Sequence, residues 1–286
     1  MSNFNKIVVI GAGTMGSGIA AHLANSNRQV VLLDLKSKDK PNQISENAID
    51  IIKKSDPPLL VERSRIDHIK PGNLDDDFNE IKDADWVIEA VVERIDIKHK
   101  LYSQIDKVRS PNSIISSNTS TIPLSILTQE MSDSMKADFC ITHFFNPVRF
   151  MRLLEIVETP TMNKDKMDGL RDFCKNELGK GIVNCNDTPG FIGNRIGVYA
   201  MQVAMYEALE RGLPVEIADA LFGRPLGIPK TGVFGLYDLI GIDLMKDVLA
   251  SFKKELQEND PFMDVVKPHP LVEQLLEKGF NGNKGP

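Results

Sequence analysis

The segment Gly11-Ala12-Gly13-Thr14-Met15-Gly16 constrains this chain more than any other. The spacing G-x-G-x-x-G is weak evidence alone, but here its context gives it meaning. It follows Lys6–Ile10 (KIVVI), a β-branched run that reads as a strand buried on both faces. It opens a segment with Met15, Ile19, Ala20 and Leu23 at helical spacing. Gln29–Leu33 (QVVLL) supplies a second buried strand that ends at Asp34. Strand, tight turn, helix and strand in such quick succession make a βαβ unit.

Each glycine has a physical task. Gly11 permits the tight turn, Gly13 lets the backbone approach a pyrophosphate, and Gly16 lets helix and strand pack closely. The helix N-terminus, with Thr14 and Met15 in its first turn, offers N–H groups and a positive dipole end to phosphates. Asp34 is placed to accept hydrogen bonds from the adenosine ribose hydroxyls, and its charge repels a 2′-phosphate. The unit therefore points to NAD over NADP. FAD uses the same fold and stays a rival at this level, as does a glycine turn with no ligand.

The alternation continues. Trp86–Val91, Ile114–Ser117, Phe139–Phe145, Leu153–Val157 and Gly181–Cys185 read as strands. Ile44–Lys54, Asp96–Val108 and Met167–Leu178 read as helices, and residues 36–70 are polar, with a break at Pro57-Pro58. This pattern predicts an α/β domain with a doubly wound, mostly parallel sheet of the Rossmann type. After Asp187-Thr188-Pro189-Gly190 strand signals fade, and Phe191–Arg211, Val215–Leu221 and Ile242–Leu256 read as helices. The expected organisation is a nucleotide-binding domain over 1–186 and a smaller helical domain over 187–286.

With 42% hydrophobic residues the chain has ample material for such a core, and its net charge of −6 argues against nucleic acid as a partner. Cys140, Cys174 and Cys185 form no C-x-x-C and read as reduced thiols of an intracellular protein. No run approaches the ~18 apolar residues of a membrane span. The N-terminus runs into a strand without a signal or transit peptide, so a cytoplasmic location is expected.

The remaining chemistry centres on Ser116–Thr121 (SSNTST), Thr142–Pro147 (THFFNP) and Leu153–Glu158 (LLEIVE). His143 stands at the C-terminal end of an expected parallel strand, where doubly wound sheets place their ligands. Glu155 follows past a turn on what reads as the adjacent strand, so the two suit a base and its orienting partner. Spacing alone leaves plainer readings open: a core histidine, an edge-strand carboxylate, helix caps at Ser120 and Asn194, and solvated helix charges at Glu93 and Lys98. His22, His68, His99 and His269 carry no such pattern.

GAGTMGSGIA, WVIEAVVE, SSNTS, HFFNP, LLEIVE and DTPGFIGNR, in this order from Lys6 to about Asp243, resemble the L-3-hydroxyacyl-CoA dehydrogenase family of fatty-acid β-oxidation. The resemblance implies an NAD-dependent enzyme that oxidises (3S)-3-hydroxyacyl-CoA to 3-oxoacyl-CoA. It implies that His143 is the catalytic histidine and that Glu155 holds and polarises it. Ser120 then contacts the substrate hydroxyl and the nicotinamide, and Asn194 reaches the site from the helical domain. Glu93 and Lys98 border the nicotinamide and its ribose, and Asn146 is a further cofactor contact. His143 takes the proton of the 3-hydroxyl while hydride leaves C3 for the nicotinamide. The family also implies a homodimer formed by the helical domain.

Two other readings stand beside this one: a dehydrogenase of a non-CoA hydroxy acid, and a non-catalytic NAD-binding relative. The presence of Ser120, His143, Glu155 and Asn194 together argues against the second. Residues 36–70, a CoA-contacting arm in the family, are shorter here; Lys38, Lys40, Lys53, Lys54, Arg63 and Arg65 suit either CoA phosphates or a plain solvated basic face, so none is assigned to CoA. Pro229–Gly235 (PKTGVFG) departs from the family's run at the acyl pocket. KKSDPPLL and PGNLDDD lie closest to long bacterial members that add an enoyl-CoA hydratase-type module. The end at Gly285-Pro286, where a Gly-Phe-Tyr run usually begins, leads us to expect the dehydrogenase part of such a longer protein.

Overall fold

The computed structural model describes residues 4–227, 231–267 and 269–284. Pro229 and Lys230 of the PKTGVFG run, and the terminal Gly285 and Pro286, lie outside the described residues. The chain forms two compact units, Met1–Thr188 and Pro189–Pro286.

The first unit is built on eight strands: β1 Lys6–Ile10, β2 Gln29–Asp34, β3 Ile69–Asn73, β4 Trp86–Glu89, β5 Ile114–Ser117, β6 Phe139–Phe144, β7 Leu153–Glu158 and β8 Gly181–Asn184. Their order in the sheet is β3-β2-β1-β4-β5-β6-β7-β8. Helices α1 Thr14–Asn25, α2 Gln43–Lys54, α3 Ile95–Val108 and α6 Lys164–Asn176, with the single turns α4 Leu124–Leu127 and α5 Asp133–Lys136, connect them. The chain passes from β1 to β2 on one side and returns to β4 on the other. That reversal opens a crevice at the carboxyl ends of β1 and β4, the usual ligand position in this topology. Ile7, Val8, Val9 and Ile10 of β1 and Trp86, Val87 and Ile88 of β4 are wholly buried. Such central strands bury both faces, which explains their unbroken apolar character.

The expected α/β class and mostly parallel sheet are those observed. The departures have local causes. β3, within IKPGN, carries no readable alternation, and Pro71 argues against a strand; it is tolerated because β3 is an edge. The strand expected over Trp86–Val91 ends at Glu89, since the Val91 N–H turns back to the Glu89 side chain. β7 pairs antiparallel with β6 and parallel with β8, so Glu155 lies on an interior strand and not at an edge.

The second unit comprises α7 Gly193–Glu210, α8 Val215–Leu221, α9 Phe234–Ile240, α10 Ile242–Glu255 and α11 Pro270–Glu277. Val198, Met205, Tyr237, Met245, Phe252 and Phe262 pack in its core. The sequence reading passes over α9, a short helix whose N-terminus is held from afar: Asp219 accepts the N–H groups of Val233, Phe234 and Gly235. No helix among the described residues is long and apolar enough to cross a membrane.

Candidate active site

The glycine loop sits at the mouth of the crevice. Gly11 has φ of +104°, and a Cβ there would meet the Ala90 carbonyl oxygen at 2.4 Å. A Cβ on Gly16 would stand 1.7 Å from the Gly11 carbonyl oxygen, so only glycine fits. Gly13 differs: a Cβ would meet nothing within 4 Å, which leaves its surface open to an approaching group. Gly13 is also the N-cap of α1, with no side-chain cap and no acidic residue in the first turn around Thr14 and Met15. Uncapped N–H groups facing open space fit a pyrophosphate. Asp34 at the end of β2 accepts the Ala12 N–H (2.5 Å) and the Leu35 N–H (2.6 Å), which orients its carboxylate beside the loop. A carboxylate so held retains lone pairs for ribose hydroxyls. The residues present therefore fit NAD.

At the carboxyl end of β6, His143 stands directly opposite Glu155 of β7 in the antiparallel register. Nδ1 and the Glu155 Oε2 are 2.7 Å apart, with His143 at 5% and Glu155 at 0% exposure. An ionised carboxylate only accepts, so the imidazole proton lies on Nδ1. The Cys185 thiol stands 3.7 Å from the other carboxylate oxygen. Phe145 packs its ring against the imidazole, 4.4 Å between centroids.

The turn between β6 and β7 contains Asn146 and Pro147. Lys180 pins it: its buried ammonium donates to the carbonyls of Val148 (2.5 Å) and Met151 (2.9 Å). Burial pulls this lysine down to about 8. The sequence reading did not single out Lys180.

Ser120 lies in the loop after β5. Its backbone N–H donates to Glu93 Oε1 (3.0 Å), which also accepts the Thr119 hydroxyl (2.8 Å). Lys98 bridges Glu93 Oε2 (3.1 Å) and Glu89 Oε1 (2.7 Å) and is only 1% exposed. The plainer reading of Lys98 as a solvated helix charge is thereby excluded. Glu89 Oε2 accepts the Tyr102 hydroxyl and the Ser117 hydroxyl, each at 2.6 Å. Asn118 ties this loop to the histidine strand, its side-chain oxygen accepting the Phe144 N–H (2.9 Å). The structure thus brings Glu93, Lys98, Ser120, His143 and Glu155 onto the carboxyl edge of one sheet.

Ser120 does not cap the following helix. The N–H groups of Leu124 and Ser125 are taken by Asp187, at 2.6 and 2.9 Å. Asn194 belongs to the second unit, in the first turn of α7, whose N-cap is Ile192; it is not a cap either. Glu89, Asn118 and Asp187 escaped the sequence reading. For Glu89 a signal existed: a carboxylate inside a fully buried apolar strand demands internal partners.

Beside residues 52–66 lies a cleft of about 1130 Å³, with Lys53, Lys54, Arg63 and Arg149 on its walls. Arg149 fixes this segment by donating to the carbonyls of Pro58 and Leu60. Of the other charges noted above, Lys40 is engaged by Glu46 and Arg65 stands near Glu62.

Comparison with known proteins agrees with this architecture. The 3-hydroxyacyl-CoA dehydrogenase NAD-binding domain matches residues 6–188, and the C-terminal domain of the same family matches residues 190–286. A putative fatty acid oxidation complex trifunctional enzyme of Rickettsia felis is 42% identical over 99% of this chain. This chain spans only 40% of that relative's length. The mitochondrial hydroxyacyl-coenzyme A dehydrogenase of Rattus norvegicus is 32% identical, covering 97% of this chain and 88% of its own. The crystal structure of (S)-3-hydroxybutyryl-CoA dehydrogenase from Ralstonia eutropha superposes with a TM-score of 0.74 at 28% identity, over 99% of this chain and 96% of that one. With residues 6–188 and 190–286 both matched, the chain belongs to the 3-hydroxyacyl-CoA dehydrogenase family, its first unit being the NAD-binding domain.

Proposed function

We propose that this chain oxidises (3S)-3-hydroxyacyl-CoA to 3-oxoacyl-CoA with NAD, using His143 as general base. The observation that carries the reading is the 2.7 Å contact of His143 Nδ1 with Glu155 at the carboxyl edge of the sheet. With Nδ1 held by the carboxylate, proton exchange with the 3-hydroxyl falls to Nε2. Glu155 fixes the tautomer and stabilises the imidazolium that forms, as the acid of a catalytic triad does. Bound NAD supplies the acceptor for the hydride leaving C3. Ser120 positions the hydroxyl and the nicotinamide, Glu93, Lys98 and Asn146 border the cofactor, and Asn194 is read as a further substrate contact. Asp34 selects NAD by meeting the ribose hydroxyls. The basic walls of the cleft near residues 52–66 suit the phosphates of CoA.

The Rickettsia relative is named as a trifunctional enzyme, and this chain spans 40% of its length. We read the chain as the dehydrogenase part of a protein that also carries an enoyl-CoA hydratase-type module, with the helical unit forming a dimer interface. The test is NADH absorbance with acetoacetyl-CoA and longer 3-oxoacyl-CoA thioesters. Turnover of CoA thioesters supports the reading. Turnover of free hydroxy acids, with none of the thioesters, overturns it.

A further inference from the structure

Glu89 is wholly buried beneath the first unit's crevice and has no part in the chemistry above. It ends β4, directly beside Ile10 of β1 and Ser117 of β5, so it lies under both the glycine loop and the Ser120 loop. Its carboxylate is 0% exposed and accepts four hydrogen bonds: from Lys98 Nζ, the Val91 N–H, the Tyr102 hydroxyl and the Ser117 hydroxyl. This setting suits a carboxylate: Lys98 Nζ and the Val91 N–H can only donate, and the two hydroxyls are turned to donate as well. Tyr102 agrees: burial, then the Glu89 charge, push its phenol well above its usual value, so it donates as a neutral group.

The charges in this cluster do not cancel. Lys98 is shared between Glu89 and Glu93, so two carboxylates meet one ammonium. The nearby Arg94 does not make up the difference, because its guanidinium is turned outward onto Asp96. The cluster carries one net negative charge, and Glu93 presents it at the Ser120 backbone.

We propose that the Glu89–Lys98–Glu93 cluster sets the redox preference of the cofactor site, favouring the cationic nicotinamide of NAD⁺ over the neutral ring of NADH. This rests on the placement of the nicotinamide beside Glu93, Lys98 and Ser120 given above. A fixed negative charge attracts the oxidised ring and leaves the reduced one almost unaffected. It therefore lowers the Kd for NAD⁺ relative to NADH and draws the bound cofactor towards its oxidised form. In a partly solvated site a unit charge several ångströms away is worth a factor of roughly five to thirty. Glu89 and Glu93 act here as positioning and charge-setting residues, without touching the reacting atoms.

The experiment measures Kd for NAD⁺, NADH and ADP-ribose, by calorimetry and NADH fluorescence, on the intact chain and on E93Q, E89Q and Y102F. E93Q alters a side chain that is 38% exposed, so it keeps the test decisive where E89Q does not fold. The expected result is a rise in the NAD⁺-to-NADH Kd ratio of about fivefold or more in both glutamine variants. Y102F removes a hydrogen bond but no charge and leaves the ratio unchanged. ADP-ribose, which lacks the nicotinamide, binds E93Q as it binds the parent chain. If NAD⁺ and NADH weaken equally while ADP-ribose does not, the nicotinamide placement stands and the charge inference is overturned. If ADP-ribose weakens as much as NAD⁺, the placement itself fails, and the inference with it.

Discussion

His143 and Glu155 face one another across the antiparallel β6–β7 pairing, Nδ1 to Oε2 at 2.7 Å, both buried. The relationship is set by backbone register, so replacing either side chain leaves the frame intact. H143A is expected to lower kcat by about 10²–10⁴-fold while the Kd for NAD stays within about twofold. E155Q offers an amide that can turn its NH₂ to the ring and select the wrong tautomer, and a fall in kcat of the same order is expected. Near-normal turnover by H143A in the NADH absorbance assay would sink the general-base assignment.

The glycines of the loop separate into two kinds. G16A forces a Cβ to 1.7 Å from the Gly11 carbonyl oxygen, so it strains the fold. G13A places its methyl in open space, so it leaves folding untouched. The expected outcome is a melting temperature for G13A equal to the parent chain's, with a rise in Kd for NAD, and a marked loss of melting temperature for G16A. Unaltered NAD binding by G13A would remove the pyrophosphate from this loop.

How much of this is readable in the sequence follows from range. The glycine loop, α1 and β2 are continuous in sequence, and their periodicity states what they bury. His143 and Glu155 are separated by one turn, so their pairing was legible as adjacent strands. Asp187 was not, because the N–H groups it accepts belong to Leu124 and Ser125, in a segment far away in the chain. Glu89 was hidden by its own neighbours: within WVIEAV it reads as one polar break in a strand, and its partners lie on α3 and β5. β3 was lost to Pro71, whose meaning depends on knowing that the strand is an edge.

Asp187 stands just before Pro189, where the second unit begins, and holds the start of α4 through two backbone N–H groups. D187A is expected to destabilise the chain by about 1 kcal/mol, the worth of a helix cap. D187N should be no better, because each carboxylate oxygen accepts one N–H and an amide nitrogen would face a donor. Because α4 follows the Ser120 loop, both variants are also expected to raise the KM for substrate. Denaturant titration and steady-state kinetics check the two halves; full recovery in D187N would show that only one of the two bonds matters.

His22 makes stability depend on pH. Its Nε2 lies 3.1 Å from the Leu178 carbonyl, and its Nδ1 is buried with no partner. A second proton would therefore place an N–H where nothing accepts it. Burial, and then the Lys180 charge, lower this histidine from 6.5 to about 4. Between these values the unfolded chain binds the proton and the folded chain does not. Stability therefore rises with pH across that window, and is lost as pH falls from 6.5 towards 4. The loss from this one group reaches up to about 3 kcal/mol. H22Q can still donate to the Leu178 carbonyl but does not titrate, so its stability should fall less than the parent's between pH 6.5 and 4.5. Urea unfolding at those two pH values measures the difference, and parallel losses in the two proteins would show that His22 is protonated in the folded chain as readily as in the unfolded one.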